Sequence, residues 1–153
     1  MVDFEKSIRD ALITLFNANA AVKEAGTLGL LKWYKRVEDG FVGHRSPFGY
    51  VEFQRRVAGP GSDMGGVGYI YVYEVGVVGE GKTGELAAAA DDVVTGLLDG
   101  IETVLIANRT VSGNVDDLAV PVEKEFARGR MPDRLSDISW GVLHIGLKKK
   151  IAV

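Results

Sequence analysis

The run VGYIYVYEVGVV, Val67 to Val78, constrains the fold more than any other stretch. Tyr69, Tyr71 and Tyr73 alternate with Ile70 and Val72, so the pattern repeats every two residues. That is the period of a β-strand, whose successive side chains point to opposite faces. A strand of this length needs neighbours, and the chain supplies them. YVEFQRRV (Tyr50–Val57) also alternates, with Val51, Phe53 and Val57 expected on one side. The intervening AGPGSDMGG is too polar and Gly-rich to pack and reads as a flexible tip, so the two strands predict a long antiparallel hairpin. ISWGVLHIGLKKKI (Ile138–Ile151) predicts a further long strand with Leu143, Ile145 and Leu147 on one face.

The remaining segments are less uniform. Residues 3–25 predict an amphipathic helix whose apolar stripe is Ile8, Leu12, Leu15, Phe16 and Val22, capped by Asp3 and ended at Gly26. LLKWYKRV (Leu30–Val37) reads as a strand broken by the turn signal EDG, followed by a loop, FVGHRSPFG. Residues 84–101 predict a second helix, with Leu86, Ala90, Val93, Leu97 and Ile101 at helical spacing. TVLIANRTV fits either a strand or a helix end. Residues 111–137 are poorly patterned, with a possible short strand at Leu118–Val122. No internal repeat or domain boundary is visible. The expected fold is α+β: one domain over residues 1–153, with a mostly antiparallel sheet of four to six strands and two helices packed on one face.

Composition narrows the function classes. At 153 residues, 46% hydrophobic and 25% charged, the chain has globular composition. Its net charge of −3 gives no global positive field to recruit nucleic acid. It has no cysteine, so neither disulfides nor thiolate metal sites are available. The N-terminus lacks the basic and apolar regions of a signal peptide, and no apolar run approaches the ~18 residues of a membrane span. The expectation is a soluble protein made in the cytoplasm, without a membrane partner. Glycine is unusually frequent, at 20 residues, and much of it falls at strand ends and in loops.

One motif demands a test. GVVGEGKT, Gly76 to Thr83, satisfies the phosphate-loop pattern, with Gly76, Gly81, Lys82 and Thr83 as the nucleotide-contacting positions. Two glycines, a lysine and a hydroxyl residue at this spacing arise by chance in about one chain per hundred of this composition. The preceding strand argues against the motif, because it alternates and carries Glu74, where a phosphate-loop strand is buried and continuously apolar. No apolar strand ending in Asp supplies a magnesium ligand. The competing reading is a Gly-rich connection between strand and helix, and no cofactor is expected.

Other candidates point to contact rather than catalysis. His44 and His144 have no sequence neighbours that make a metal or triad pattern. Asp91–Asp92 reads as a solvated helix face, and the segment containing Asp116–Asp117 lacks calcium-loop spacing. Lys148–Lys150 reads as protection of a strand end, or as part of a basic stripe with Arg55 and Arg56. The tyrosine row fits equally a core under a helix and an interface. Tyr69, Tyr71, Tyr73, Arg55, Arg56, His44 and Arg45 are therefore the interface candidates, with no catalytic or metal-binding residues.

The order FEKSIRDALITLFNANAAV, YVEFQRRV, GYIYVYEVGVV, ELAAAADDVVTGLLDGI, then ISWGVLHIGL, resembles the tail terminator (tail completion) proteins of long-tailed bacteriophages. The resemblance rests on element order over most of the chain. The 111–137 segment is longer than that order needs, a departure toward the related neck or head–tail joining proteins. The resemblance implies a structural virion protein, not an enzyme. It implies that copies form a homohexameric ring on the tail tube, stop its polymerisation and present a head-joining surface. It implies as partners a second copy, the tail tube protein and a head-completion or neck protein, with DNA passing through the lumen without specific binding. Loops 38–49 and 58–66 are expected to order on docking. The alternatives are an unrelated cytoplasmic binding or assembly domain and a phosphate-loop nucleotide-binding protein.

Overall fold

In the computed structural model, residues 3–19, 32–43, 47–59, 63–82, 85–119, 122–130 and 136–152 are described. The elements are α1 (Phe4–Ala18), β1 (Lys32–Tyr34), α2 (Val37–Gly43), β2 (Phe48–Ala58), β3 (Gly66–Lys82), α3 (Glu85–Ala107), β4 (Asp117–Leu118), β5 (Glu123–Arg130) and β6 (Ser136–Ala152). The fold is α+β, with a six-stranded, mostly antiparallel sheet and three helices. Its spine is the antiparallel pair β3 and β6, each 17 residues long and in register from Gly66↔Ala152 to Lys82↔Ser136. The order is β1-β2-β3-β6, with β4 and β5 both on the far side of β6. Only β1 and β2 run parallel.

Ile8, Leu12, Leu15 and Phe16 enter the main core as expected, whereas α3 adds Val94, Leu98 and Leu105 to the expected Leu97 and Ile101 and leaves Val93 half-buried. Ile8, Leu12, Leu15 and Phe16 of α1 and Leu97, Leu98, Ile101 and Leu105 of α3 bury against Val51, Tyr71, Tyr73, Val75, Leu143, Ile145 and Leu147 of the sheet. Asp3 caps α1 by accepting from the Lys6 amide at 3.0 Å. Tyr73 Oη donates to the Glu5 carbonyl at 2.7 Å, pinning the first turn of α1 to the sheet. The segment that fits both strand and helix continues α3 to Ala107. Val22, Gly26 and the start of the Leu30–Val37 run lie outside the described residues, as do the side chains of Leu86 and Ala90.

Four local expectations are corrected. The EDG turn signal lies inside α2, because Val37 and Phe41, four residues apart, close over Phe48 and Tyr34 on the other face of the sheet. Gly40 is needed there, since a Cβ would overlap the Phe48 ring. Val57 does not share a side with Val51 and Phe53. The register shifts between Phe53 and Arg55, leaving Gln54 as an extra residue, and one inserted residue exchanges the faces beyond it. The tip between β2 and β3 contains a tight turn in which Asp63 and Gly66 exchange backbone hydrogen bonds at 2.9 and 3.3 Å. The 111–137 segment contains β4 and an eight-residue strand, β5. Leu118 ends β4, and Val122 precedes β5.

The α3–β4 turn carries three successive positive φ values, at Val111, Ser112 and Gly113. Val111 is fully buried, so packing holds a β-branched residue in a conformation that L-residues disfavour. The bidentate Arg109–Asp117 pair, at 2.8 and 3.0 Å, closes the same turn. No described helix is long and apolar enough to cross a membrane.

Candidate functional site

Gly76–Lys82, the segment matching the phosphate-loop pattern, is strand rather than loop. Its residues pair with 136–142 of β6, and Gly76 also pairs with Tyr50 of β2. A phosphate cradle needs successive amides that converge on one point. An extended ladder sends alternate amides to opposite neighbours. The strand-to-helix connection read from the glycines is therefore the strand itself. Gly76 has a packing reason to lack a side chain: a Cβ would overlap the Tyr50 ring. Gly81 and Lys82 are paired with Asp137 and Ser136, and Thr83 lies outside the described residues.

The other predicted candidates disperse. Tyr71 and Tyr73 are 1% and 0% exposed, so they belong to the core and are not available as a contact face. Tyr69 is half-buried at the margin of that core, under the Arg56 guanidinium, 4.1 Å from its centroid. A hydrogen bond with Tyr71 holds the Arg56 pKa above its usual value. Arg55 points to the opposite face, so the adjacent arginines do not form one stripe. The lysine run is divided likewise. Lys149 donates to the Asn114 carbonyl at 2.8 Å on the helix side, and Lys150 donates to Asp63 at 2.5 Å. That bond is the main reason the Asp63 carboxyl titrates below its usual range. His44 and Arg45 lie outside the described residues.

Asp91 corrects the expectation of a solvated acidic pair. It accepts from Ser139 Oγ and pairs with Arg128, fastening α3 to β6 and β5. Lys124 of β5 reaches Asp99 at 2.7 Å and Glu102 at 3.6 Å on the same helix. Asp116 accepts from the Lys150 amide at 2.7 Å, and Asp117 pairs with Arg109. These carboxylates have structural partners.

Two further surfaces are less enclosed. The first is the sheet face away from α1 and α3. One end of it is covered by α2, where Phe48, Tyr50 and Val78 form a second small core with Phe41 and Trp140. Beyond it, Glu52, Glu74, His144 and Glu123 stand directly opposite one another across β2, β3, β6 and β5. Trp140 Nε1 donates to Tyr50 Oη at 2.8 Å, and Tyr50 Oη donates to Glu74 at 2.9 Å. Burial pushes the Tyr50 hydroxyl well above its ordinary pKa, keeping it a donor. Partial burial, then the charges of Glu38 and Glu74, raise the Glu52 pKa. His144 Nε2 lies 3.4 Å from Glu125. Among the described residues, no group of three or more acidic or histidine side chains is placed to hold a metal ion.

The second surface is the pair of sheet edges. Among the described residues, β1 covers β2 only at Phe48–Tyr50, and Gln54–Ala58 are exposed. On the opposite margin, β5 pairs with β6 alone among the described residues, and Phe126 is 54% exposed. Neither the acidic row nor the edges were legible from spacing, because their members lie on strands far apart in the chain. Compared with known proteins, the chain matches no family model and no curated sequence.

Proposed function

We propose that this chain is an architectural virion protein of the phage tail-terminator kind, closing a homohexameric ring on the end of the tail tube. The ring stops tube polymerisation and presents the surface to which a head-completion or neck protein joins. One observation carries this reading: among the described residues, the sheet has two unlike open edges, β2 beyond Tyr50 and β5, on opposite margins of the subunit. A ring is heterologous and needs two different complementary patches on each copy. The acidic row and the net charge of −3 suit a channel through which DNA slides without sticking. Assembly in the host cytoplasm and residence in the virion neck follow from the same reading.

The test is tube polymerisation. A tail tube protein is polymerised with and without this chain, and tube lengths are measured by negative-stain electron microscopy. Tubes that shorten and carry a ring-shaped cap at one end are expected. An unchanged length distribution with bare ends overturns the proposal.

A further inference from the structure

We infer that the two open edges are each other's partners: β5 of one copy adds to β2 of the next, antiparallel, with Glu125 opposite Arg55 and Phe126 opposite Phe53. The inference rests on the ring reading only in taking the partner to be a second copy.

Strand direction and face alternation leave few registers. Three successive antiparallel pairings, β2–β3, β3–β6 and β6–β5, make β5 run opposite to β2. Copies repeated side by side, helices on the same side, therefore bring β5 antiparallel to the neighbour's β2. Side chains that share a face must meet, so the register moves in steps of two. Arg55 lies on the face away from α1 and α3, as do Glu123, Glu125 and Ala127 of β5.

Placing Arg55 opposite Glu123 sets Glu52 against Glu125, a like-charge pair, once the extra residue Gln54 is accommodated. Placing it opposite Ala127 leaves Arg55 without a carboxylate. Placing it opposite Glu125 gives one ion pair, sets Glu52 against Ala127 and joins the exposed Phe126 to Phe53 on the other face. Arg56 then meets Lys124, but each is already engaged, Arg56 over the Tyr69 ring and Lys124 with Asp99. Among the described residues Arg55 has no ion-pair partner, and the ion pair of Glu125 is His144 at 3.4 Å. Charged edges often serve to repel other strands. Here Arg55 and Glu125 supply one opposite-sign pair between the unlike edges, which favours this register over its neighbours.

The absence of cysteine makes the test clean. The double variant Arg55→Cys, Glu125→Cys is oxidised mildly and analysed by non-reducing gel and native mass spectrometry, beside each single variant. Within one chain these positions sit on opposite margins with β3 and β6 between them, about 14 Å across at ordinary strand spacing, too far for a disulfide. A ladder of linked multimers ending in a closed species is expected from the double variant, and at most dimers from either single. A double variant that yields no more than the singles overturns the inference. Charge reversal supplies an independent readout. Arg55→Glu should abolish assembly on tubes, and adding Glu125→Arg should restore it; an Arg55→Glu protein that caps tubes as well as wild type also overturns the pairing. Capped tubes without a ladder would remove this interface and leave the ring reading standing. A ladder without any effect on tubes would keep the interface and remove the tail assignment.

Discussion

The helix-covered face of the sheet and its opposite face are made from alternate residues of the same strands, yet they differ in kind. On β6, Leu143, Ile145 and Leu147 are buried beneath the helices, while Val142, His144 and Gly146, which alternate with them, are only half-buried. The covered face is continuous and apolar, and its few polar groups are satisfied, as with the Tyr73 hydroxyl on the Glu5 carbonyl. The opposite face is apolar under α2, then carries a row of carboxylates around His144, with Val72, Ile70 and Val57 beyond it. A fold that needed the sheet only as a platform for helices would have no reason to set Glu52 directly against Glu74. The main core lies on one face, and the other carries the smaller core under α2 and this acidic row.

The largest expected effect tests that division at neighbouring residues. Leu143→Ala should lose about 2–5 kcal/mol in denaturant unfolding, because it opens a cavity in the main core. Val142→Ala, one residue away on the open face, should lose less than about 1 kcal/mol. Equal losses would mean that both faces are core. An intermediate effect is expected at the junction of the second core. Gly76→Ala drives a methyl group into the Tyr50 ring and should cost about 1–3 kcal/mol. A double-mutant cycle with Tyr50→Leu should recover part of that loss, and strict additivity would refute the packing role of this glycine.

The smallest effect concerns pH. Glu52 has a raised pKa, so its protonated form is favoured in the folded state. Its contribution is therefore most favourable below the usual carboxylate range and is lost as pH rises through the raised value. Glu52→Gln should melt higher than wild type at about pH 7, and the advantage should vanish at about pH 3.5. An advantage of the same size at both values would show that charge is not the cause.

Legibility from sequence followed the same division. The helix stripes, the tyrosine row and the apolar face of β6 were readable because each buries a periodic set within one element. β5 was missed because EKEFARGR turns Lys124, Phe126 and Arg128 toward the helix side, and two of these three are charged. They are tolerated there because Asp99, Glu102 and Asp91 of α3 meet them. A strand whose inward positions are salted by a distant helix has no hydrophobic alternation to display. The break in the β2 pattern was likewise invisible, since Gln54 looks like any other strand residue until β3 fixes the register around it.

By itself the sequence determined the strands and helices whose side chains alternate or repeat with a clear period, and with them the α+β class. That follows because burial of a periodic apolar face is a local property of the chain. Only the tertiary structure decided that GVVGEGK is ladder and not loop, that Arg55 and Arg56 serve different faces, and that two unlike edges stand open among the described residues. Those features depend on which strand lies beside which, and the pairing partner of a residue 60 or more positions away, as with Gly76 and Val142, is written in no local pattern.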